Sequence, residues 1–460
     1  MLSTSSYSSS IVDRCFLINL DRRPDRLKQW FEQLPVDWPF PQPERVAAID
    51  GGRLATPQQW NCGPGAWGCF RTHLQILEKC LQENISSYVV FEDDAGFSED
   101  FTSRLKDFAD QLPADWGVAY LGGQHLYPRR FPPVQISSNC YRPYNVNRTH
   151  AFMVRGRNNM KALYRHLASD DWHRNHHIDH HLGRLIQQSY EDRTNGNPPR
   201  RGTIDVYTPD RWIVGQLPSM SNICGRAWEE TRFFNDAEDT KVYNSPFFAV
   251  MGAHRSGTSC VAMMMHHLGV HMGNELVGHE ETGGGEAIGL AECCEQAMPF
   301  PAIDPIIGDE ELTQQLRTWI NDRREEAGKR DTVAGGKYPH LCRFAKHLLE
   351  AVGKNLRIIS VQRDIDASIR SLQARSRKFP DMWFSASNEQ CEQLQHHLLQ
   401  HRRQFLLDHP QVPVLEIDFE QLLADPQAAV LQLIEFLGIQ PSSSALDQAI
   451  AHVQPQLRKH

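Results

Sequence analysis

Along the first half of the chain, short apolar runs alternate with amphipathic stretches. "CFLINL" (15–20), "ERVAAIDG" (44–51), "YVVFEDD" (88–94), "VAYLGG" (118–123) and "HAFMVRG" (150–156) read as strands, and "PDRLKQWFEQL" (24–34) as a helix. This alternation predicts an α/β layered domain. "EDRTNGNPPRRG" (191–202), crowded with turn formers, is expected as an exposed loop. After a polar, acidic stretch, "AWEETRFFNDAEDTKVYNSP" (227–246), the pattern restarts, and the junction between two domains is expected there. "FFAVMG" (247–252) reads as a buried strand and "SCVAMMMHHLGV" (259–270) as the helix after it. "NLRIISVQRD" (355–364) is a strand running into a helix. "VPVLEIDFEQLLADPQAAVLQLIEFLGI" (412–439) is a strand and then helix with Pro at a helix start. These elements fit one parallel sheet.

Length agrees with two domains, since 460 residues exceed what one core supports; the boundaries expected are 11–235 and 245–460. With 48 basic and 56 acidic side chains, the net charge of -8 gives no general attraction to nucleic acid or anionic membrane. Any phosphate binding must be local. Eleven cysteines without paired spacings fit a reducing compartment. "MLSTSSYSSSIVDR" is a polar start with no apolar signal region, and no apolar run reaches about 18 residues. A cytoplasmic location without a transmembrane segment is therefore expected.

The most informative stretch of the second half is "GAHRSGTSC" (252–260). A strand, a Gly-bounded turn and a helix N-terminus aim several backbone N–H groups at one point, where the helix dipole also favours an anion. Gly252 and Gly257 have the separation of a nucleotide-binding loop, but Thr258 stands where such loops carry the lysine that reaches terminal phosphates. Three readings compete: a core turn that tolerates glycine, a degenerate nucleoside triphosphatase or kinase, and a loop for another phosphate compound. Arg255 adds a guanidinium within the loop, and Ser256, Thr258 and Ser259 add hydroxyls, which favours the third.

"HRSGTS" resembles the 5'-phosphosulfate loop of sulfotransferases that use 3'-phosphoadenosine-5'-phosphosulfate (PAPS). That family carries, after a later strand, an Arg followed eight residues on by a Ser, and "VQRDIDASIRSLQAR" supplies Arg363 and Ser371 at that spacing. Alone, such a pair is more often a solvated helix face. The resemblance, over about 247–440, implies that Arg255, Ser256, Gly257, Thr258, Ser259, Arg363 and Ser371 bind PAPS. Sulfuryl transfer also needs a base and positive charge at the bridging oxygen. Lys337, in "GGKYPHL", and Arg255 are candidates for the charge. Glu286, in "EETGGGEAIGL", is the candidate base, against the plainer reading of a first-turn helix glutamate. His254 is as readily a packing residue.

In the first half, "VVFEDDAGF" (89–97) runs a strand into three carboxylates. Continued as a strand, it would point Glu92 and Asp94 one way, toward a hard cation, and Asp93 the other. The alternative is a solvated strand end that discourages edge pairing. "FLINLDRRPDRL" (16–27), "GAWGCFRTHLQIL" (65–77) and "VVFEDDAGF", followed by "THAFMVRGRNNMKAL", "HHIDHHLG" and "GQLPSMSNICG", resemble glycosyltransferase family 25, the lipooligosaccharide and collagen galactosyltransferases. Thr72 stands where that family usually has Ser, which keeps the hydroxyl. The resemblance spans about 11–226. It implies a GT-A type, Rossmann-like domain, a UDP-sugar donor, and Mn2+ or Mg2+ at Glu92, Asp93 and Asp94. It makes Asn19, Arg22, Arg26, Arg71 and His73 donor-side candidates and Asp179 a candidate acceptor base or metal neighbour, unless that aspartate only solvates a helix. Histidines 173, 176, 177, 180 and 181 recur at helical steps, as a zinc site or a polar helix.

The expected protein is an α/β chain of two transferases, a GT-A-like domain and a sulfotransferase domain with a parallel sheet. They would act in turn on a saccharide or glycoconjugate acceptor. The rivals are a C-terminal module that binds phosphate or sulfate without chemistry, and a C-terminal nucleotide kinase.

Overall fold

A computed structural model describes residues 11–169, 176–194, 200, 202–220, 223, 227–228, 241–276, 284–378 and 385–453. The chain divides into two compact units between Lys241 and Val242, within the acidic stretch and short of its end. Each unit has cores made only from its own residues.

The first unit is built on a six-stranded mixed sheet. Its order is Glu44–Ala47, Arg14–Asn19, Ser87–Glu92, Val146–Arg155, Val118–His125 and Val206–Tyr207. The first three strands run parallel, and Val146–Arg155 lies antiparallel to both neighbours. The apolar runs became central strands because both faces are covered: Val89, Val90 and Phe91 are fully buried, alternately in two cores on opposite faces. Burying a side chain such as Phe91 contributes about 2 kcal/mol.

The helix Pro64–Gln82 covers one face, presenting Trp67, Phe70, Leu74 and Leu77 at three- and four-residue steps. Pro64 fits the first turn, where no N–H partner is needed. Gly68 lets that turn press against the backbone, since a Cβ there would lie 2.2 Å from the Ile49 carbonyl oxygen.

The stretch 191–202 departs from the expected loop. The helix Ile178–Thr194 extends through its first four residues. Buried Asp192 then accepts bonds from the Arg200 backbone N–H, its Nε and the Thr203 hydroxyl, a local polar network that turn-residue counting does not show.

The second unit has a four-stranded, wholly parallel sheet in the order Ala334–Lys337, Phe247–Met251, Leu356–Gln362 and Val414–Asp418. The helix Thr258–His267 follows the Phe247–Met251 strand and Ile365–Lys378 follows Leu356–Gln362. The edge strand Ala334–Lys337 is one of the elements that the sequence pattern does not announce, as are the helices Asp309–Gly328 and Asn388–Asp408. "AGGK" has no apolar period; it is a strand because only glycine fits, a Cβ on Gly336 meeting Leu290 at 3.0 Å and Phe247 and Trp319 at 3.1 Å. Among the described residues no helix is long and apolar enough to cross a membrane.

Candidate functional site

In the second unit, the loop 252–257 leaves the strand Phe247–Met251 and enters the helix at Thr258. Both bounding glycines are required. A Cβ on Gly252 would lie 2.5 Å from Ser256 Oγ, and one on Gly257 2.1 Å from the Phe419 ring; Gly257 also has φ +94°. Arg255 sits at φ +63°, a conformation that costs a non-glycine residue about 1 kcal/mol. Contacts to the helix Ile365–Lys378 and the strand end before it help to hold it there. Its carbonyl oxygen accepts from Arg363 Nη1 at 2.8 Å, and its Nε donates to Ser371 Oγ at 3.2 Å. The loop arginine and the distant Arg–Ser pair thus meet at one point. The Arg363 guanidinium also lies 5.2 Å from the Phe419 ring centre.

Lys337, at the end of the edge strand, is buried; its Nζ donates to Ser259 Oγ at 2.9 Å and pairs with Glu286. Glu286 precedes the helix Ile288–Ala297 by two residues, so it is not a first-turn residue. Burial, then Arg375 and Arg363, push the Arg255 guanidinium down to about 10 against the pull of Glu286. Burial depresses Lys337 as well; Glu286 opposes this, and Arg255 and Arg375 add to it. Four cations thus share one region with Glu286 and the more exposed Glu420, which is 4.0 Å from Arg363. An anion would relieve their repulsion.

Arg375 went unrecognised in the sequence, although it lies one helical turn beyond Ser371 on the same face. His254 packs against Phe300 and His340, and burial keeps its imidazole neutral.

In the first unit, the acidic run does not continue as a strand. The strand ends at Glu92, Asp93 and Asp94 form a turn, and a short strand, Ala95–Phe97, follows, paired with Val214–Gln216. The expected alternation therefore fails, because Asp93 and Asp94 both face Arg26, at 2.9 and 3.8 Å from Nη1. Asp93 Oδ2 also accepts from buried Asn19 at 2.7 Å, and Arg26 Nη2 donates to the Met220 carbonyl oxygen. Glu92 points elsewhere, its Oε1 accepting from Thr149 at 2.8 Å and standing 3.5 Å from His73 Nε2. Burial pushes the Glu92 carboxyl up, but His73, Thr149 and His150 outweigh it and hold it below the usual range. Burial, reinforced by Glu92, pushes Asp94 up to about 7. Asp94 Oδ1 is buried with no hydrogen-bond partner among the described residues.

The remaining candidates are more scattered. Arg22 pairs with Asp50 on the surface, and exposed Arg71 lies 5.9 Å from the Trp67 ring. Asp179 is buried, not solvating a helix: its carboxylate accepts from the backbone N–H of Arg148 and of His180. It is close enough to Cys69, with Glu92, to add to the effect of burial in raising that thiol. His173 lies outside the described residues, and His176, His180 and His181 have ring centres 5.8 Å apart or more, without a gathered ligand set among them.

Residues 12–168 match the family described as Glycosyltransferase family 25 (LPS biosynthesis protein), and residues 246–443 match the Sulfotransferase family. The chain joins a family 25 glycosyltransferase domain to a sulfotransferase domain. The family 25 match contains Asn19 through Asp94 but not Asp179; the sulfotransferase match contains every candidate of the second site.

Among similar proteins, human "Inactive glycosyltransferase 25 family member 3" is 29% identical over 144 residues, 27% of this chain and 24% of that protein. Human "Procollagen galactosyltransferase 2" is 29% identical over 139 residues, 25% of this chain and 21% of that protein. The chain thus spans about a quarter of the length of the curated relatives it matches. Among solved structures, sulfotransferase STF1 from Mycobacterium tuberculosis H37Rv covers 45% of this chain and 71% of its own, at 13% identity and a TM-score of 0.30. Both matched families are transferases.

Proposed function

We propose that the chain is a bifunctional glycan-modifying transferase. The first unit transfers a sugar from a UDP-sugar to an acceptor saccharide, and the second moves a sulfuryl group from PAPS to a hydroxyl. The observation that carries the reading is the meeting of Arg255, Arg363 and Ser371 around a glycine-bounded loop, with Lys337 and Arg375 adding positive charge. That surplus charge suits a donor with phosphates at two positions, and the loop itself suits the 5' end.

In the second unit the acceptor oxygen attacks sulfur, the bond from sulfur to the bridging phosphate oxygen breaks, and the acceptor proton passes to Glu286. Lys337 and Arg255 stabilise the charge growing on the departing oxygen. Glu286 is paired with Lys337, and a donor phosphate drawing Lys337 away would free the carboxylate as a base.

In the first unit the unpartnered Asp94 oxygen and the neighbouring Glu92 suit a hard divalent cation, Mn2+ or Mg2+. Glu92 and Asp94 would hold it, with Asp93 fixing Arg26 and Asn19 beside them, and it would supply positive charge for the leaving diphosphate. Arg26 places a guanidinium at the same strand end, and Asp179 is the group proposed to take the acceptor proton.

A second reading rests on the word "inactive" in the name of a relative: the first unit binds nucleotide sugar without transferring it. Mass spectrometry of a saccharide acceptor incubated with UDP-sugar and PAPS separates the readings. Gain of both sugar and sulfate supports the proposal; gain of sulfate alone supports the second reading; gain of neither with both donors sinks both. Sugar alone, with bound but unused PAPS, makes the second unit a binding module.

A further inference from the structure

The strand end and the helix Pro64–Gln82 bring together two side chains that the proposed sugar-transfer site does not use, Cys69 and His73, with one that it does, Glu92. One ligand atom each of Cys69, His73 and Glu92 lies within 4.8 Å of the others. Cys69 and His73, four residues apart, share one face of the helix, and Glu92 faces them from the strand. The His73 ring is 4% exposed, and among the described residues the neighbour its Nε2 faces is the Glu92 oxygen, 3.5 Å away and beyond a normal hydrogen bond. Stacking on Phe152, with ring centres 5.7 Å apart, fixes the plane of the imidazole. The Thr149 hydroxyl donates to the Glu92 carboxylate at 2.8 Å and holds it in place. Cys69 and Glu92 are half-buried and His73 is buried.

We propose that Cys69, His73 and Glu92 form a site for a divalent transition ion of the zinc class, chemically distinct from the oxygen-only site suited to Mn2+ or Mg2+. Sulfur, imidazole nitrogen and one carboxylate oxygen are the donors that zinc takes, and three protein ligands leave its fourth tetrahedral position open. With bonds of about 2.0–2.3 Å, ligand atoms around tetrahedral zinc stand roughly 3.5 Å apart. Donors already gathered within 4.8 Å need movements of about an ångström to close on an ion. Thr149 at Glu92 and Phe152 at His73 act as the outer partners that orient ligands. Because Glu92 also belongs to the acidic run, a zinc-class ion bound here competes with a hard cation for that carboxylate. The proposal goes beyond the transferase reading and does not depend on sugar transfer, since occupancy is read from the metal itself.

The test is absorption spectroscopy on the metal-free full chain titrated with Co2+, a coloured substitute for Zn2+. The expected result is a thiolate-to-cobalt charge-transfer band with the intense visible bands of four-coordinate cobalt, both bleached by Zn2+. Cys69→Ser removes the charge-transfer band and weakens Co2+ binding at least tenfold, whereas Cys62→Ser and Cys293→Ser, at the other half-buried cysteines among the described residues, leave both unchanged. His73→Gln weakens binding with the thiolate band shifted or lost, and circular dichroism confirms that each variant is folded. Absence of the band in the wild type, or its survival in folded Cys69→Ser, overturns the proposal. Mn2+-dependent UDP binding, measured separately by calorimetry, reports on the sugar-donor reading, so either can fail alone.

Discussion

Lys337 and Arg255 are cations held out of water, and their value lies in what they wait for. Removing one member of a buried pair leaves the other uncompensated, at a cost of about 3 kcal/mol or more. Lys337→Ala is therefore expected to destabilise the second unit by about that amount, because Glu286 loses its partner; loss of stability in denaturant titrations checks it. Arg255→Lys separates charge from shape. It keeps the charge but loses the Nε contact to Ser371, and affinity for adenosine 3',5'-bisphosphate should fall about tenfold in calorimetry, the loss of one charge-assisted hydrogen bond. An unchanged affinity would remove that contact from the binding argument.

His340 gives a residue-scale prediction of a different kind. Burial lowers its imidazole from 6.5 to about 4. Above pH 6.5 the folded and unfolded forms are both neutral. As pH falls from 6.5 toward 4, the unfolded chain takes up a proton that the folded one refuses, so stability declines through that window. From pH 6.5 to 5 the loss is about 2 kcal/mol. His340→Phe should flatten the decline by that amount, read from amide-exchange protection in the second unit at the two pH values.

At the scale of elements, what was legible depended on whether an element is made by apolar burial or by close approach. Arg14–Asn19, Ser87–Glu92, Phe247–Met251 and Leu356–Gln362 are strands because they bury both faces, and their apolar runs show it. Ala334–Lys337 pairs just as regularly but is specified by the side chains it must not have, so no period marked it. The acidic run was found and its direction misjudged for a related reason. Nothing within "FEDDAGF" announces that the strand stops at Glu92, since the turn is set by pairing with the distant Val214–Gln216. Arg363 and Ser371 were picked out by the family resemblance, since their spacing alone is common, whereas their meeting with Arg255 required the fold. The loop itself is testable at this scale. Gly257→Ala adds a Cβ 2.1 Å from the Phe419 ring at φ +94°, so it should destabilise the second unit by about 1–3 kcal/mol and abolish bisphosphate binding, with UDP binding retained.

At the scale of the molecule, the apolar clusters decide how far the two activities are separable. None of the four shares a residue across the Lys241–Val242 division, and a unit whose core is its own has the main requirement for folding alone. Fragments 1–241 and 242–460 are therefore expected to unfold cooperatively by themselves. Their ligands should divide with them. UDP should bind the first fragment only, with affinity that rises on adding Mn2+ and is lost with EDTA, since the Glu92 carboxylate is close enough to Asp94 to raise its proton affinity, a repulsion that a cation would relieve. Adenosine 3',5'-bisphosphate should bind the second fragment only, indifferent to EDTA, because Arg255, Arg363, Arg375 and Lys337 supply the positive charge without metal. Calorimetric titration of each fragment with each ligand makes the comparison. Metal-dependent bisphosphate binding would show that the cation cluster is insufficient by itself, and a fragment that aggregates while the full chain stays folded would show that the units depend on one another despite their separate cores.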